Sequence, residues 1–375
     1  MNGSGPGTAP ALDRIAIVGA GLIGCSVGLA LRTAGVADVA LEDSDAARLR
    51  LAGDLGAGRP VEAGERGFDV VIIAVPPAAT AKVLFELMNR DLGLIYSDVA
   101  SIKTSPQREA ESYGVDLARF VGGHPVAGRE RGGPAAARGD LFLGRPWVLC
   151  PTAETAPDAL ATMRSVAERC GAVPVVIDAE AHDRAMALVS HAPQALASVL
   201  AAELGRADEA TAGLAGSGLR DLTRIADSDP ALWSQIAAGN AGPIADVLES
   251  VAGRLQTVAA ALRAPEPGAA TEFGELVADG NAGRARLPGK HGARPTTYAV
   301  LPVVIADEPG ILARLLTDAG AAGINVEDLS LEHSPGAPVG LCELVVRPDQ
   351  AEPLAAVLEE RGWTVHPPSA PVSGR

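Results

Sequence analysis

Aromatic residues are scarce in this 375-residue chain, where Phe, Trp and Tyr together make up 3%. A base-stacking platform for single-stranded nucleic acid needs such rings at intervals, so the composition argues against one. Basic residues are also short: 31 Lys and Arg face 46 Asp and Glu, a formal charge of -15. A nucleic-acid partner calls for a basic stripe, and none is visible. Cys25, Cys150, Cys170 and Cys342 are the only cysteines and lie far apart. No pair has metal-ligand spacing, and four are too few for a disulfide framework. They are expected as reduced thiols of a cytoplasmic, metal-free protein. The opening MNGSGPGTAP lacks the basic-then-apolar pattern of a signal peptide. The most apolar long stretch, 185–204, is broken by Ser190, His191, Pro193, Gln194 and Glu203. It predicts a buried helix of a soluble protein rather than a membrane span.

What is present divides the chain. Its length predicts two or three domains. Residues 1–12 are rich in Gly, Pro and Ala and read as a disordered tail. From 13 to 151, short apolar runs at 15–18, 39–41, 70–75, 94–97 and 147–150 alternate with helix-like stretches, which predicts an α/β doubly wound parallel sheet. Residues 152–263 pass through a helix at 157–170 and a strand at 173–177 into long periodic Ala/Leu/Glu stretches. These predict an all-α domain able to fold around a second copy. Residues 264–295 read as a linker with a short helix at 271–279. Residues 296–367 return to strand–helix alternation in the order βαββαβ, an α+β domain, and 368–375 read as a tail.

The first strand runs into GAGLIG, so Gly19, Gly21 and Gly24 form G-x-G-x-x-G. The first glycine permits a tight turn, the second lets a pyrophosphate approach the backbone, and the third lets helix pack on strand. The N–H groups of Leu22 and Ile23 then open a helix whose positive end faces the phosphates. This context makes 13–151 a Rossmann-type dinucleotide-binding domain. Asp43 lies 19 residues beyond Gly24, where a carboxylate receives the adenosine ribose hydroxyls. Its neighbour Glu42 must point the other way by strand alternation. A carboxylate there repels a 2′-phosphate, which favours NAD over NADP. Val75 and Pro76 end an apolar strand beside the dinucleotide. Asp98, Ser101 and Lys103 follow the next strand, at the sheet edge where ligands bind; helix capping is the plainer role for Ser101.

The segment VGGHPVAGRERGG at 121–133 presents His124 between a glycine pair and a proline. An imidazole so displayed suits acceptance of a substrate proton; a buried structural histidine is the competing reading. His182 and His191, nine apart on one helix, should face opposite ways, while His191 and Gln194 share a face. Pro193 should disturb that helix. Asp221 and Arg224, three apart, share a face if helical, and Arg224 offers a bidentate carboxylate clamp. A structural ion pair is the plainer alternative.

GAGLIG, SDVASIK, GGHPVAGRE, HDRAMALVSH and LRDLTRIADSDPALW, in this order, resemble the prephenate/arogenate dehydrogenase family of tyrosine biosynthesis over residues 13–262. The tail, with ADEPGIL at 306–312 and GINVEDL at 323–329, resembles an ACT domain. The resemblance implies NAD-dependent oxidative decarboxylation of prephenate, or of arogenate, by a homodimer without a nucleic-acid or membrane partner. It makes His124 the catalytic base and Ser101 a bridge between that base and the nicotinamide. It makes Arg224, supported by Asp221, the carboxylate clamp, sets His191 along the pocket, and lets Trp233 reach a neighbouring subunit's site. Arg129 and Gln194 depart from the commonest family pattern and, with Glu130, touch the substrate side chain, which leaves prephenate and arogenate both open. In the tail, Gly310 and Asn325 mark a site for an aromatic amino-acid effector, against a plain dimerisation role. Other NAD-linked β-hydroxyacid dehydrogenases, imine reductases and a non-catalytic amino-acid sensor are the rival classes.

Overall fold

The computed structural model describes residues 12–128, 132–264, 268–287, 297–333, 338–369 and 372–373. The chain falls into two compact units, Met1–Leu255 and Gln256–Arg375. In the first, eight strands form one sheet: β1 (Arg14–Val18), β2 (Asp38–Glu42), β3 (Arg59–Pro60), β4 (Phe68–Ile73), β5 (Gly93–Asp98), β6 (Phe120–Pro125), β7 (Pro146–Cys150) and β8 (Val173–Val176). Their order is β3-β2-β1-β4-β5-β6-β7-β8. Pairing is parallel as far as β6. β7 then runs antiparallel to β6, and β8 parallel to β7. The expected all-parallel sheet is thus mixed at this edge. The domain boundary expected after residue 151 also falls inside the sheet, because Leu149 pairs with Val176.

The helices are α1 (Leu22–Thr33), α2 (Ala46–Asp54), α3 (Pro77–Asn89), α4 (Thr104–Ser112) and α5 (Pro157–Arg169). Ile15, Ile17, Val70 and Ile72 share a core with residues of α1 and α5. Ala16, Val18, Val71 and Ile73 share another with α3 and α4. Both faces are covered, which is why these strands read as continuous apolar runs rather than alternating ones. Leu12, assigned to the tail by composition, is buried in the first of these cores; residues 1–11 lie outside the described residues. The chain leaves β1 toward β2 on one side and β4 returns on the other. The C-terminal ends of β1 and β4 therefore flank the switch point where such sheets bind ligands.

Helices follow: α6 (Ala179–Met186), a π-helical turn (Ala187–His191), α7 (Ala192–Leu204), α8 (Glu209–Gly213), α9 (Ser217–Thr223), α10 (Pro230–Gly239) and α11 (Ala241–Arg263). Asp178 and Asp229 cap α6 and α10 by accepting the N–H groups of Ala181 and Ala231, as short carboxylates at helix starts do. The stretch 185–204 is not the buried helix its composition predicts. Leu188 and Val189 are 62% exposed and Val199 is 63% exposed on the single chain.

In the second unit, α12 (Gly268–Arg284) is longer than the helix expected at 271–279. The linker's remaining segments, 265–267 and 288–296, lie outside the described residues. Then come β9 (Thr297–Ala306), α13 (Ile311–Ala321), β10 (Asp328–His333), β11 (Val339–Val346), α14 (Pro348–Glu360) and β12 (Thr364–Val365). The antiparallel order is β10-β11-β9-β12. Leu315 and Ala319 of α13 and Leu354 and Leu358 of α14 share one core with Leu301, Val303 and Leu344 of the sheet. This is the βαββαβ unit read from the sequence. The expected tail instead adds β13 (Val372–Ser373), whose Val372 pairs with Tyr298. All four cysteines are buried and unbridged.

Candidate active site

The glycine turn has the shape a dinucleotide needs. Gly19 adopts φ +108°, and a Cβ there would lie 2.2 Å from the Ala74 carbonyl oxygen at the end of β4. At Gly24 a Cβ would lie 1.9 Å from the Gly19 oxygen. These two glycines are required by the fold itself. Gly21 differs: a Cβ there meets nothing within 4 Å. The open space over Gly21 lies at the start of α1, with Leu22 and Ile23 in its first turn, so the residues present fit a pyrophosphate held by helix N–H groups. The Asp43 carboxylate is anchored beneath this turn. Oδ2 accepts the Ala20 N–H at 2.7 Å and Oδ1 accepts the Asp45 N–H at 2.8 Å. Glu42 turns the other way and pairs with Arg90 at 2.7 Å, as strand alternation predicts. Arg48 approaches Asp43 to 3.6 Å. Val75 and Pro76 lie between β4 and α3, where Pro76 is the N-cap.

Next along the sheet edge stands a buried histidine pair. His124 lies within β6, all six residues of which are buried. Its Nδ1 is 2.8 Å from His182 Nε2. His182 Nδ1 is in turn 2.8 Å from Asp183 Oδ1. Asp183 also accepts the main-chain N–H groups of Lys103 and Thr104, each at 2.8 Å. Burial works to raise the Asp183 pKa, but the hydrogen bonds from His182, Thr104 and Lys103 outweigh it and hold the carboxyl below its ordinary value. Asp183 is therefore an ionised acceptor, which makes His182 Nδ1–H the donor. With Nδ1 donating to Asp183, His182 is placed to accept at Nε2 from His124 Nδ1–H. This order leaves His124 Nε2 without a proton, able to take one. Burial, with smaller contributions from His182, Lys103 and His191, pushes the His124 pKa well below its ordinary value.

His191 joins this group through Asn240, whose amide donates to the Asp183 carbonyl at 2.8 Å and lies 3.1 Å from His191 Nδ1. His182 and His191 do not face opposite ways as a regular helix predicts. Pro193 has no N–H to donate and its ring displaces the carbonyl four residues back. The helix widens at Ala187–His191 into a π-helical turn, a form often found at functional sites, and both histidines reach the same cluster. Burial brings His191 down to about 4. The Trp233 ring stands edge-on to His191, centroids 6.0 Å apart, within the same chain. Gln194 is buried and donates to Ser198 at 3.3 Å.

Asp98 and Lys103, read as lying where ligands bind, form a buried ion pair with each other at 2.6 Å. Ser101, between β5 and α4, is half-buried. Asp221 lies on α9, and Arg224 opens the tighter turn Arg224–Ala226 that follows. Both are exposed on the single chain. Arg129 and Glu130 lie outside the described residues. Gly310 caps α13 with φ +86°, and Asn325 donates to Glu327 at 2.7 Å; both belong to the second unit. Sequence reading missed the roles of His182, Asp183 and Asn240. The adjacent His-Asp at a helix start was a usable signal, but Asn240 has no local one, since only the path of α10 brings it in.

Two family models match the chain: the nucleotide-binding domain of prephenate dehydrogenase over residues 27–176, and the prephenate dehydrogenase dimerization domain over residues 178–276. The probable prephenate dehydrogenase NovF of Streptomyces niveus is 39% identical, over 92% of this chain and 98% of its own. Among solved structures, the prephenate dehydrogenase of Aquifex aeolicus in complex with hydroxyphenyl propionate and NAD+ aligns with a TM-score of 0.65 at 26% identity. It covers 72% of this chain and 98% of its own. An arogenate dehydrogenase from Synechocystis aligns with a TM-score of 0.62 at 26% identity and the same coverage. The glycine turn precedes the residues that the nucleotide-binding family model matches, so its reading rests on its own geometry. With two domain models together spanning residues 27–276 and a relative 39% identical over 92% of the chain, the chain belongs to the prephenate dehydrogenase family.

Proposed function

We propose that this chain converts prephenate to 4-hydroxyphenylpyruvate with NAD. The observation that carries the proposal is the buried Asp183–His182–His124 hydrogen-bond chain, which engages His124 at Nδ1 and leaves Nε2 as its proton acceptor. NAD, when bound, supplies the hydride acceptor for ring C4. His124 Nε2 holds the C4 hydroxyl and takes its proton as C4 becomes a carbonyl carbon. The imidazolium so formed is stabilised through His182 by the Asp183 carboxylate. Loss of carbon dioxide from the opposite ring carbon then restores aromaticity, a driving force the protein need not provide. Its task is alignment: Arg224, steadied by Asp221, clamps a substrate carboxylate, His191 and Gln194 line the pocket, and Ser101 bridges base and cofactor. The glycine turn and the N–H groups of Leu22 and Ile23 hold the pyrophosphate, Asp43 the ribose, and Val75 and Pro76 the flank. Arg129 and Glu130 meet the substrate side chain. Purified protein with NAD and prephenate should form NADH and 4-hydroxyphenylpyruvate in equal amounts. Turnover of arogenate to tyrosine, with none of prephenate, would replace this assignment with its runner-up.

The same reading makes the protein a cytoplasmic homodimer, supported by the exposed apolar residues of the π-helical turn and α7. We also propose that the second unit is an ACT-like regulatory module. Its βαββαβ order supports this, as does Gly310, whose left-handed backbone opens the start of α13 with no atom crowding it. An amino-acid carboxylate would sit there, with Asn325 released from Glu327 to meet the ammonium. Calorimetric titration of the full chain with tyrosine, phenylalanine and tryptophan tests it, and silence with all three would leave a structural role.

A further inference from the structure

Asp98 and Lys103 are 1% and 2% exposed. Lys103 Nζ lies 2.6 Å from each carboxylate oxygen. Burying such a pair is costly, and replacing it with apolar groups is often neutral or stabilising, so stability does not account for it. Its contacts do. β5 and β6 pair only at Tyr96–Phe120 and Ser97–Val121. Beyond that point Gly123 has no strand partner on the β5 side. The ion pair takes the strand's place: Asp98 Oδ1 accepts the Gly123 N–H at 2.7 Å, and Lys103 Nζ donates to the Gly123 carbonyl at 2.7 Å. A Cβ at 123 would lie 2.5 Å from the Asp98 carbonyl oxygen and 2.8 Å from Ser97 Oγ, so only glycine admits the grip. The next residue is His124. The main-chain N–H of this same Lys103 donates to Asp183, and Asp183 orients His182.

We infer that Lys103, with Asp98, is a positioning residue for the oxidation: its side chain fixes the strand that carries His124 and its main chain fixes Asp183, so one residue sets both ends of the His124–His182 hydrogen bond. The inference rests on the reading of His124 as the base. A substrate does not reach Lys103; it acts through the Gly123 peptide.

The test uses full-length enzyme. The variant Asp98→Asn/Lys103→Met removes both charges together and leaves an acceptor for the Gly123 N–H. It should melt within a few degrees of wild type and keep its NAD Kd and prephenate KM within threefold, while kcat falls at least tenfold. A split of kcat from KM is what a purely structural pair would not give. If this variant does not fold, Lys103→Arg, which keeps a charge opposite Asp98 but cannot place a single ammonium on the Gly123 carbonyl, should show the same split. A folded variant with kcat within threefold of wild type overturns the inference. So does a parallel loss of melting temperature, NAD binding and turnover. His124→Asn is the control. If it retains wild-type kcat the base assignment fails; if it is inactive while the Lys103 variants are normal, only the positioning role fails.

Discussion

His124 and His191 are both held neutral by burial, and the sign of that shift has two measurable consequences. A base whose pKa lies well below its ordinary value stays unprotonated as pH falls. In the free enzyme kcat/KM should therefore persist below the ordinary histidine pKa, about 6.5, and decline only at more acidic pH. A decline centred at the ordinary value would show that His124 is not the controlling group. Stability runs the other way. The unfolded chain takes up protons near the ordinary value, whereas folded His191 does so only near 4. Between these limits the unfolded state binds more protons, so the contribution of neutral His191 is complete above the upper limit and is lost as pH falls toward the lower. The melting temperature should drop across that window, and His191→Asn should flatten part of the drop. An equal slope in both proteins would contradict the assignment.

At the scale of elements, two glycines of the first turn, Gly24 and Gly21, make separable predictions. Gly24→Ala forces a Cβ onto the Gly19 carbonyl and should destabilise the domain with or without cofactor. Gly21→Ala meets open space at an ordinary φ of -80°. It should leave the melting temperature of the free protein unchanged while weakening NAD binding at least tenfold, because the methyl occupies the place of the pyrophosphate. Calorimetry and thermal melting distinguish the two; equal NAD affinity in Gly21→Ala would move the cofactor elsewhere. Pro193→Ala restores an N–H to the helix and lowers the intrinsic cost of its interior. The π-helical turn should relax toward a regular helix and rotate His191 away from Asn240. Stability should hold or rise, yet kcat/KM should fall at least tenfold. Unchanged kinetics would mean that the widened turn has a cause other than Pro193.

For the whole molecule, the stretch Ala179–Leu204 is long and apolar enough to cross a membrane, yet it carries His182, Asp183, His191 and Gln194 of the polar site. Its exposed Leu188, Val189 and Val199 fit a face covered by a second copy, in a segment that matches a dimerization domain. If the proposed homodimer forms through this face, Leu188→Asp/Val199→Asp should give a monomer in light-scattering measurements, since two carboxylates cannot be buried there unpaired. A variant that stays dimeric would place the interface on other helices.

The sequence alone carried the dinucleotide turn, because a strand, a close-packed glycine turn and a helix are specified within a dozen residues. It carried the βαββαβ order of the second unit for the same reason: apolar periodicity and turn residues act locally. It also singled out His124, by the glycines and proline around it. It misread Asp98 and Lys103, because a position at the end of a strand does not say whether a charge meets solvent, ligand or another charge. It misjudged His182 and His191, because a regular helical period does not hold through a π-helical turn. Tertiary structure alone decided that Asp183, His182 and His124 form one hydrogen-bonded line, and that Asn240, at the C-terminal end of α10, ties His191 to it. Protonation at such a site depends on partners within hydrogen-bonding reach and on exclusion of water. Here those partners lie up to 80 residues apart in the chain and meet only when the sheet edge and the helices pack together.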